Sequence, residues 1–367
     1  MNYSERMETN PSDLVFAERL KQARRMRGWS LAELRERMDD LVSIAALSKY
    51  EKGQSMASSR VLVALAEALG VSLDFLFRDF SVDLGRIRFR KLSSTQKRTV
   101  DQTVERARDF FERYFEIEEV VGAIQPFKPV FRPGHLQDAE QLADLVRKEW
   151  NVGNDPIANV HALLEDHGIK VWYADDCDER FDGFSAHTDR GPVAVVASHL
   201  CAVRKRMTAL HEAAHILMEP LGLDSKEEEK FVPAFTGALL LPAEPLKALL
   251  GTKRKTISFP ELLEIKKRFG VSMSGVMMRA RDLGIITGDE LTTFFRFRAG
   301  KKWRSEKREP WDEEAARVFP ETNNRFRQLV FRAHSEETIS TSQAASYLQL
   351  TVEEVTRLLN DPVSAPQ

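Results

Sequence analysis

Ala202-Val203-Arg204-Lys205-Arg206-Met207-Thr208-Ala209-Leu210-His211-Glu212-Ala213-Ala214-His215-Ile216-Leu217-Met218 carries the sharpest chemical signal in this chain. Its apolar periodicity predicts one helix from about Ala202 to Met218. Residues four apart lie on one face of a helix, so His211 and His215 project together. Two such imidazoles can hold a zinc ion, and the carboxylate of Glu212 between them can act as general base on a metal-bound water. A catalytic zinc needs a third protein ligand and an open position. Asp224, Glu227, Glu228 and Glu229, in the acidic run that leads into the next helix, are the nearest candidates.

Outward from this helix the pattern is mixed. Upstream, a helix is expected from near His135 through about Trp150, a second from Pro156 to His167, and a strand from Ile169 to Tyr173. Phe181-Asp182-Gly183-Phe184-Ser185 has the composition of a turn between strands, and Pro192 to Ala197 is a Val-rich run suited to a buried strand. Downstream, one helix ends at Pro242 and others span Pro260 to Phe269 and Ser272 to Leu283, which makes the region α+β. His187 and His199 fall inside it without a pattern that assigns them a role. Asp175, Asp176, Cys177, Asp178 and Glu179 form a charged turn.

The N-terminal part is of a different kind. From about Leu14 to Phe80 it reads as several short amphipathic helices, with Phe16, Leu20 and Ala23, then Leu31, Leu34 and Met38, at helical spacing. Gly28 ends the first, Ser30 with Glu33 forms a capping signature, Ser43 caps another that Gly53 closes, and Ser58 or Ser59 precedes Val61 to Leu69. Beyond it, Arg86, Arg88 and Arg90 alternate with Ile87 and Phe89 as in a short strand. Thr95 to Val121 predicts one long polar helix, a connector or a dimerising element. Pro126, Pro129, Pro133 and Gly134 mark the next boundary. The Trp303 to Trp311 stretch is charged and irregular, Glu321 to Ala333 and Ser342 to Leu359 are expected as short amphipathic helices, and Asp361 to Gln367 is a polar end. No internal repeat or low-complexity tract is present.

At 367 residues the chain is too long for one small core. With 43% hydrophobic and 30% charged residues it has the composition of packed domains, not of a disordered chain or a fibre. No apolar run approaches the roughly 18 residues of a membrane span, and Met1 to Ser12 is polar with both signs of charge, so neither membrane insertion nor secretion is expected. Cys177 and Cys201 are too few for a disulfide framework and lack the paired spacing of a cysteine zinc site, which fits a reducing cytoplasm. A formal net charge of −2 excludes a uniformly basic nucleic-acid binder while leaving room for a local basic surface.

Ser30 to Met38 and Ser43 to Tyr50 form two helices joined by a short turn, the arrangement that lets the second enter a DNA major groove. Arg19-Leu20-Lys21, Arg27-Gly28-Trp29-Ser30, Leu47-Ser48-Lys49-Tyr50-Glu51-Lys52-Gly53 and Leu65-Ala66-Glu67-Ala68-Leu69-Gly70-Val71 resemble the XRE, or Cro/C1-type, helix-turn-helix family. The resemblance implies that Ser43 to Tyr50 is the recognition helix, with Ser43, Ile44, Ala45, Ser48 and Lys49 nearest bases or backbone. Lys49, Lys52 and Arg60 are suited to holding phosphates. Ile44, Ala45 and Ala46 offer apolar contact, for instance to thymine methyls. The alternative is a bundle that docks protein, and Asp39, Asp40 and Glu67 lie in the same module.

Arg204 to Leu210 before the histidine pair, and Glu229 and Phe235 to Pro242 after it, resemble the ImmA/IrrE family of zinc metallopeptidases, as do Asp182-Gly183-Phe184-Ser185, Arg279-Ala280-Arg281-Asp282-Leu283-Gly284, Trp303 and Glu309-Pro310. The resemblance implies zinc as cofactor, His211, His215 and Glu229 as its ligands, and Glu212 as the catalytic base. Val232 and Pro233 stand where the family commonly has Ala and Asn or Asp, which leaves Glu228 as the alternative third ligand.

The expectation is therefore a multidomain, mostly helical chain: a polar tail over 1–13, an all-α helix-turn-helix domain over 14–80, a linker with a long helix over 81–130, an α+β zincin-like metallopeptidase domain over 131–293, and a helical C-terminal region over 294–367. Its expected function is that of a cytoplasmic DNA-binding transcriptional regulator whose zinc endopeptidase domain cleaves a repressor or other regulatory protein in a stress or phage-related response. Its expected partners are operator DNA, that protein substrate and a second copy of itself, without a membrane. Two alternatives stand beside it: a non-catalytic DNA-binding sensor that uses the peptidase-like domain as a metal- or partner-binding platform, and the partner-binding half of a two-component system.

Overall fold

The computed structural model describes residues 11–85, 87–89, 97–131, 138–299, 309–322 and 324–360. In chain order the elements are α1 (Pro11–Met26), α2 (Leu31–Arg37), α3 (Ile44–Tyr50), α4 (Ser59–Leu69), α5 (Leu73–Phe77), β1 (Ile87–Phe89), α6 (Lys97–Val121), α7 (Ala139–Glu149), α8 (Val160–Asp166), β2 (Lys170–Ala174), β3 (Gly183–Thr188) and β4 (Gly191–Ala197). They continue with α9 (Ala202–Met218), α10 (Ser225–Leu240), α11 (Ala243–Leu250), α12 (Phe259–Phe269), α13 (Met273–Asp282), α14 (Gly288–Thr293), α15 (Asp312–Val318), α16 (Arg325–Ser335), α17 (Thr341–Leu348) and α18 (Val352–Asn360). The mostly helical, α+β architecture read from the sequence is the one observed, and no described helix is long and apolar enough to cross a membrane.

The chain separates into two compact units. The first draws its described residues from Met1–Asp83, Ser93–Ile124 and Arg325–Gln367, the second from Leu84–Leu92 and Gln125–Asn324.

In the first unit α1 to α5 close around Phe16, Leu20, Leu34, Leu47, Leu65, Leu69 and Leu76. The caps follow the sequence signals. Ser30 and Glu33 form a reciprocal capping box, and Ser43 Oγ accepts from the amide of Ala46 at 3.1 Å. The turn between α2 and α3 is made by Asp39 and Asp40 in the left-handed region, φ 49 and 57, a conformation Asp tolerates better than most residues. Arg35 neutralises Asp40 at 2.7 Å.

The long helix α6 belongs to this unit and is fastened to α1 by a buried charge network. Arg19, fully buried, meets Glu112 at 2.7 Å and the carbonyl of Asp79 at 2.6 Å. The C-terminal helices complete the unit: Tyr114 and Ile117 of α6 pack with Val330, Ala333, Ala344 and Val355. Arg325 pairs with Glu118, and Gln349 donates to Asp109 at 2.7 Å.

The second unit is built on a four-stranded sheet of order β1-β3-β4-β2, in which β2 and β4 run parallel and the other neighbours antiparallel. β4 is buried from Pro192 onward, as its run of Val foretold. Helix α9 lies against β3 and β4, and α7 and α10 pack against each other beyond it. Buried cations tie this unit together. Arg206 of α9, fully buried, binds the Glu321 carboxylate and the carbonyl of Ile157 at 2.6 Å. Arg279 joins α13 to the carbonyl of Leu241 at 2.9 Å and to Glu140 of α7 at 2.6 Å. Lys266 is held by Glu309 at 3.2 Å and by Asp312.

Several expectations are corrected. Gly183, Phe184 and Ser185 begin strand β3 instead of forming a turn, because their backbones pair with β4 on one side and, from Phe184 on, with β1 on the other; the chain reverses at Asp189 and Arg190. Ser342 to Leu359 is two helices, because Gln349 adopts φ 53 and Thr351 starts a new cap on the Glu354 amide at 3.2 Å. Glu321 lies outside any helix, where its carboxylate accepts from the amides of Val160 at 2.9 Å and His161 at 3.1 Å. Pro260 is the second residue of α12, which starts at Phe259 behind the Ser258 cap. His135, Pro133, Gly134, Arg86, Arg90, Trp303 and the chain beyond Asn360 lie outside the described residues.

Candidate metal centre and nucleic-acid interface

Helix α9 forms over the predicted span and delivers its three candidate residues to the interior: His211 is 2%, Glu212 0% and His215 7% exposed. The Nε2 atoms of His211 and His215 stand 3.3 Å apart, with the rings nearly edge to face at 78°. Two nitrogens each about 2.0–2.1 Å from one tetrahedral zinc ion stand about 3.3–3.4 Å apart, so this pair fits zinc without rearrangement. On the opposite side of its ring, His215 Nδ1 lies 2.9 Å from Glu228 Oε1. A proton shared there places the Nε2 lone pair of His215 toward His211, which is the orienting role a carboxylate plays behind a metal-binding imidazole.

Both candidate third ligands come from the first turns of α10, whose start is fixed by a capping box between Asp224 and Glu227. That box engages Asp224 and Glu227 with backbone amides. Glu228 is brought to the histidine pair; Glu229, the next residue, is exposed. Pro233 lies inside α10 and has no N–H to give the carbonyl of Glu229. Among the described residues no group of three or more His, Cys, Asp or Glu side chains is gathered so as to hold a metal ion.

The space beside Glu212 depends on a glycine. A Cβ on Gly183 would stand 2.6 Å from the carbonyl oxygen of Val195 and 3.4 Å from Cγ of Glu212. The strand can lie this close to α9 only with Gly at its head. At the other end of β3, His187 Nε2 meets Glu219, just past α9, at 2.8 Å. β3 therefore runs along α9 past the turn that bears the histidines.

The remaining sequence candidates lie elsewhere. His199 Nδ1 contacts Cys177 Sγ at 3.6 Å in the acidic loop. There the hydrogen bond from Arg180 holds the Asp178 carboxyl at about 2. Arg204 pairs with Asp182 at 2.7 Å. Burial brings the guanidinium of Arg147, whose Nη1 binds the carbonyl of Leu239, down to about 10.

In the first unit α3 presents Ser43, Ile44, Ala45 and Lys49 outward, with Ser48 half-buried and Leu47 turned into the core. Ile44 is 39% exposed. Lys52 and Arg60 are also exposed. Glu51 is withdrawn from that surface by a two-pronged pair with Arg24, at 2.6 and 2.7 Å. One supporting contact was invisible in the sequence: Arg98 of α6 reaches Glu33 at 2.8 Å and the carbonyl of Gly28. Its hydrogen bond, with those from Ser30, holds the Glu33 carboxyl at about 2.

Comparison with known proteins agrees with this geometry. Residues 20–76 match the family model of the helix-turn-helix, and residues 164–281 match that of the IrrE N-terminal-like domain. Neither a search of curated proteins nor a search of solved structures found a match. The first match supports a DNA-binding regulator and the second a peptidase-like domain. The chain is thus a fusion of an XRE-type helix-turn-helix with an ImmA/IrrE-like peptidase domain.

Proposed function

We propose that this protein is a DNA-binding transcriptional regulator that also cleaves a regulatory protein, a repressor being the plainest candidate, by zinc-dependent hydrolysis in the cytoplasm. The single observation that carries the enzymatic half is the buried His211–His215 pair, with Nε2 atoms 3.3 Å apart and Glu212 fully buried between them. His211 and His215 would hold the ion, with Glu229 as third ligand and Glu228 orienting His215. When bound, zinc lowers the pKa of a water and polarises a peptide carbonyl. Glu212 accepts the proton of the attacking water and passes it to the leaving amine, which suits a carboxylate kept from bulk solvent. The DNA half rests on Ser43, Ile44, Ala45, Ser48, Lys49 and Lys52. A homodimer on a two-fold operator, with half-sites about one helical turn apart, follows from how such modules dock. A stress or phage-related response is the setting in which a regulator would be removed by cleavage.

The test is zinc content and promoter response for wild type, His211→Ala and Glu212→Gln. Zinc lost in His211→Ala but kept in Glu212→Gln, with the promoter response lost in both, supports the proposal. Zinc and response both intact in Glu212→Gln would make the protein a non-catalytic sensor.

A further inference from the structure

Strand β1 comes from the connector Leu84–Leu92, yet it belongs to the second unit and forms the outer strand of its sheet. It pairs antiparallel with β3, Ile87 opposite Ala186, Arg88 opposite Ser185 and Phe89 opposite Phe184. The strand whose edge it covers lies along α9: Gly183 at its head lies against Glu212, and His187 near its tail reaches Glu219 past the end of that helix. The seat is built. Leu84, 1% exposed, anchors the segment. Gly85, at φ 39, comes so near that a Cβ there would stand 2.7 Å from the carbonyl oxygen of His187.

A sheet edge offers a row of unpaired main-chain donors and acceptors, which any extended peptide can complete as an added strand. Next to a catalytic carboxylate, such an edge is where a polypeptide substrate would be laid out. We propose that residues 87–89 occupy the outer edge of β3 in cis, as a stand-in for the extended peptide that a peptidase would lay out there. This rests on the peptidase function proposed above. Affinity comes from main-chain hydrogen bonds, so the ligand class is an unfolded or extended segment of protein, with no requirement for a particular side chain at most positions. A tethered strand competes at an effective concentration in the mM range. The site is closed to dilute substrate until the connector is drawn away.

The experiment uses the full chain with Glu212→Gln, which keeps a bound peptide intact. Gly85→Val, whose side chain collides with the His187 carbonyl, and the pair Arg88→Pro with Phe89→Pro, one of which must remove an inward N–H because successive N–H groups point to opposite sides, are two independent ways of lifting β1. The probe is a labelled synthetic peptide with the sequence of residues 84–92; its control carries Arg88→Pro and Phe89→Pro. Hydrogen exchange over 183–188 should rise in both variants and fall again when the peptide is added, while 191–197 and 202–218 stay protected and report an intact fold. Peptide affinity should rise at least tenfold over the parent chain, and the control peptide should not bind.

Equal peptide affinity in parent and variants, or unchanged exchange over 183–188, would overturn the proposal. The two proposals fail separately. Peptide binding to the lifted variants, with no cleavage of that peptide by the same zinc-loaded variants carrying Glu212, would keep the edge site and remove the peptidase. Zinc-dependent digestion of unfolded casein at the same rate with β1 seated or lifted would keep the peptidase and remove the stand-in.

Discussion

His215 holds a nitrogen toward His211 because Glu228 takes the other side of its ring. Glu228→Gln should therefore weaken zinc binding about 10- to 100-fold while leaving one ion per chain at saturation; a chelator competition titration reads this directly. Glu229→Gln should instead lower the stoichiometry. Arg206 presents a different case. Removing it leaves the Glu321 carboxylate, 4% exposed, without its cation. Arg206→Ala should cost about 3–5 kcal/mol of stability in urea unfolding, whereas Arg206→Met with Glu321→Gln should cost much less. Glu33 adds a small, pH-dependent surface contribution to the first unit. Its carboxyl is depressed from 4.5 to about 2, by Arg98 first and Ser30 second. The stabilisation is thus fully present above 4.5 and lost as pH falls through about 2. A carbon-13 titration of the Glu33 carboxyl should give that low midpoint, and Arg98→Ala should move it up. At this scale the sequence was legible where the chemistry is local. His211, Glu212 and His215 lie within one helical turn. The Arg206–Glu321 pair spans 115 positions, and no periodicity links its members.

Among the elements, α9 and the short helices α2 to α4 matched their sequence signals, because caps and a 3.6-residue period are properties of neighbouring residues. β3 did not. Gly183 suggests a turn when read locally, and its actual reason is the nearness of Glu212 and of the Val195 carbonyl, which only the packed sheet reveals. The C-terminal helices were expected as two and are three, since the break at Gln349 is a left-handed residue without glycine. Their core is shared with α6, so the long helix that read as a connector is a packing partner inside the first unit. Deleting residues 325–360 should therefore expose Tyr114 and Ile117 and lower the thermal midpoint of that unit, as differential scanning calorimetry would show. For α3, Lys49→Ala and Lys52→Ala should each weaken duplex binding across sequences and reduce the slope of log K against log salt by about 1. A fluorescence anisotropy titration at several salt concentrations measures both effects.

The whole molecule combines two chemistries in one chain: a helix-turn-helix that supports DNA binding and a peptidase-like unit with a buried histidine pair. On the function proposed above, fusing them would bring cleavage to the place where regulators act. Composition and the two resemblances made this pairing readable without a structure. The folding of residues 87–89 into the second unit was not readable, because a three-residue strand carries almost no pattern of its own. The most direct test of the central claim is a comparison of new protein N-termini in cells producing the wild-type chain and the Glu212→Gln chain at equal levels. The account predicts at least one cleavage in a regulatory protein that appears with wild type and is absent with Glu212→Gln. Identical sets of termini, together with an identical promoter response, would contradict it.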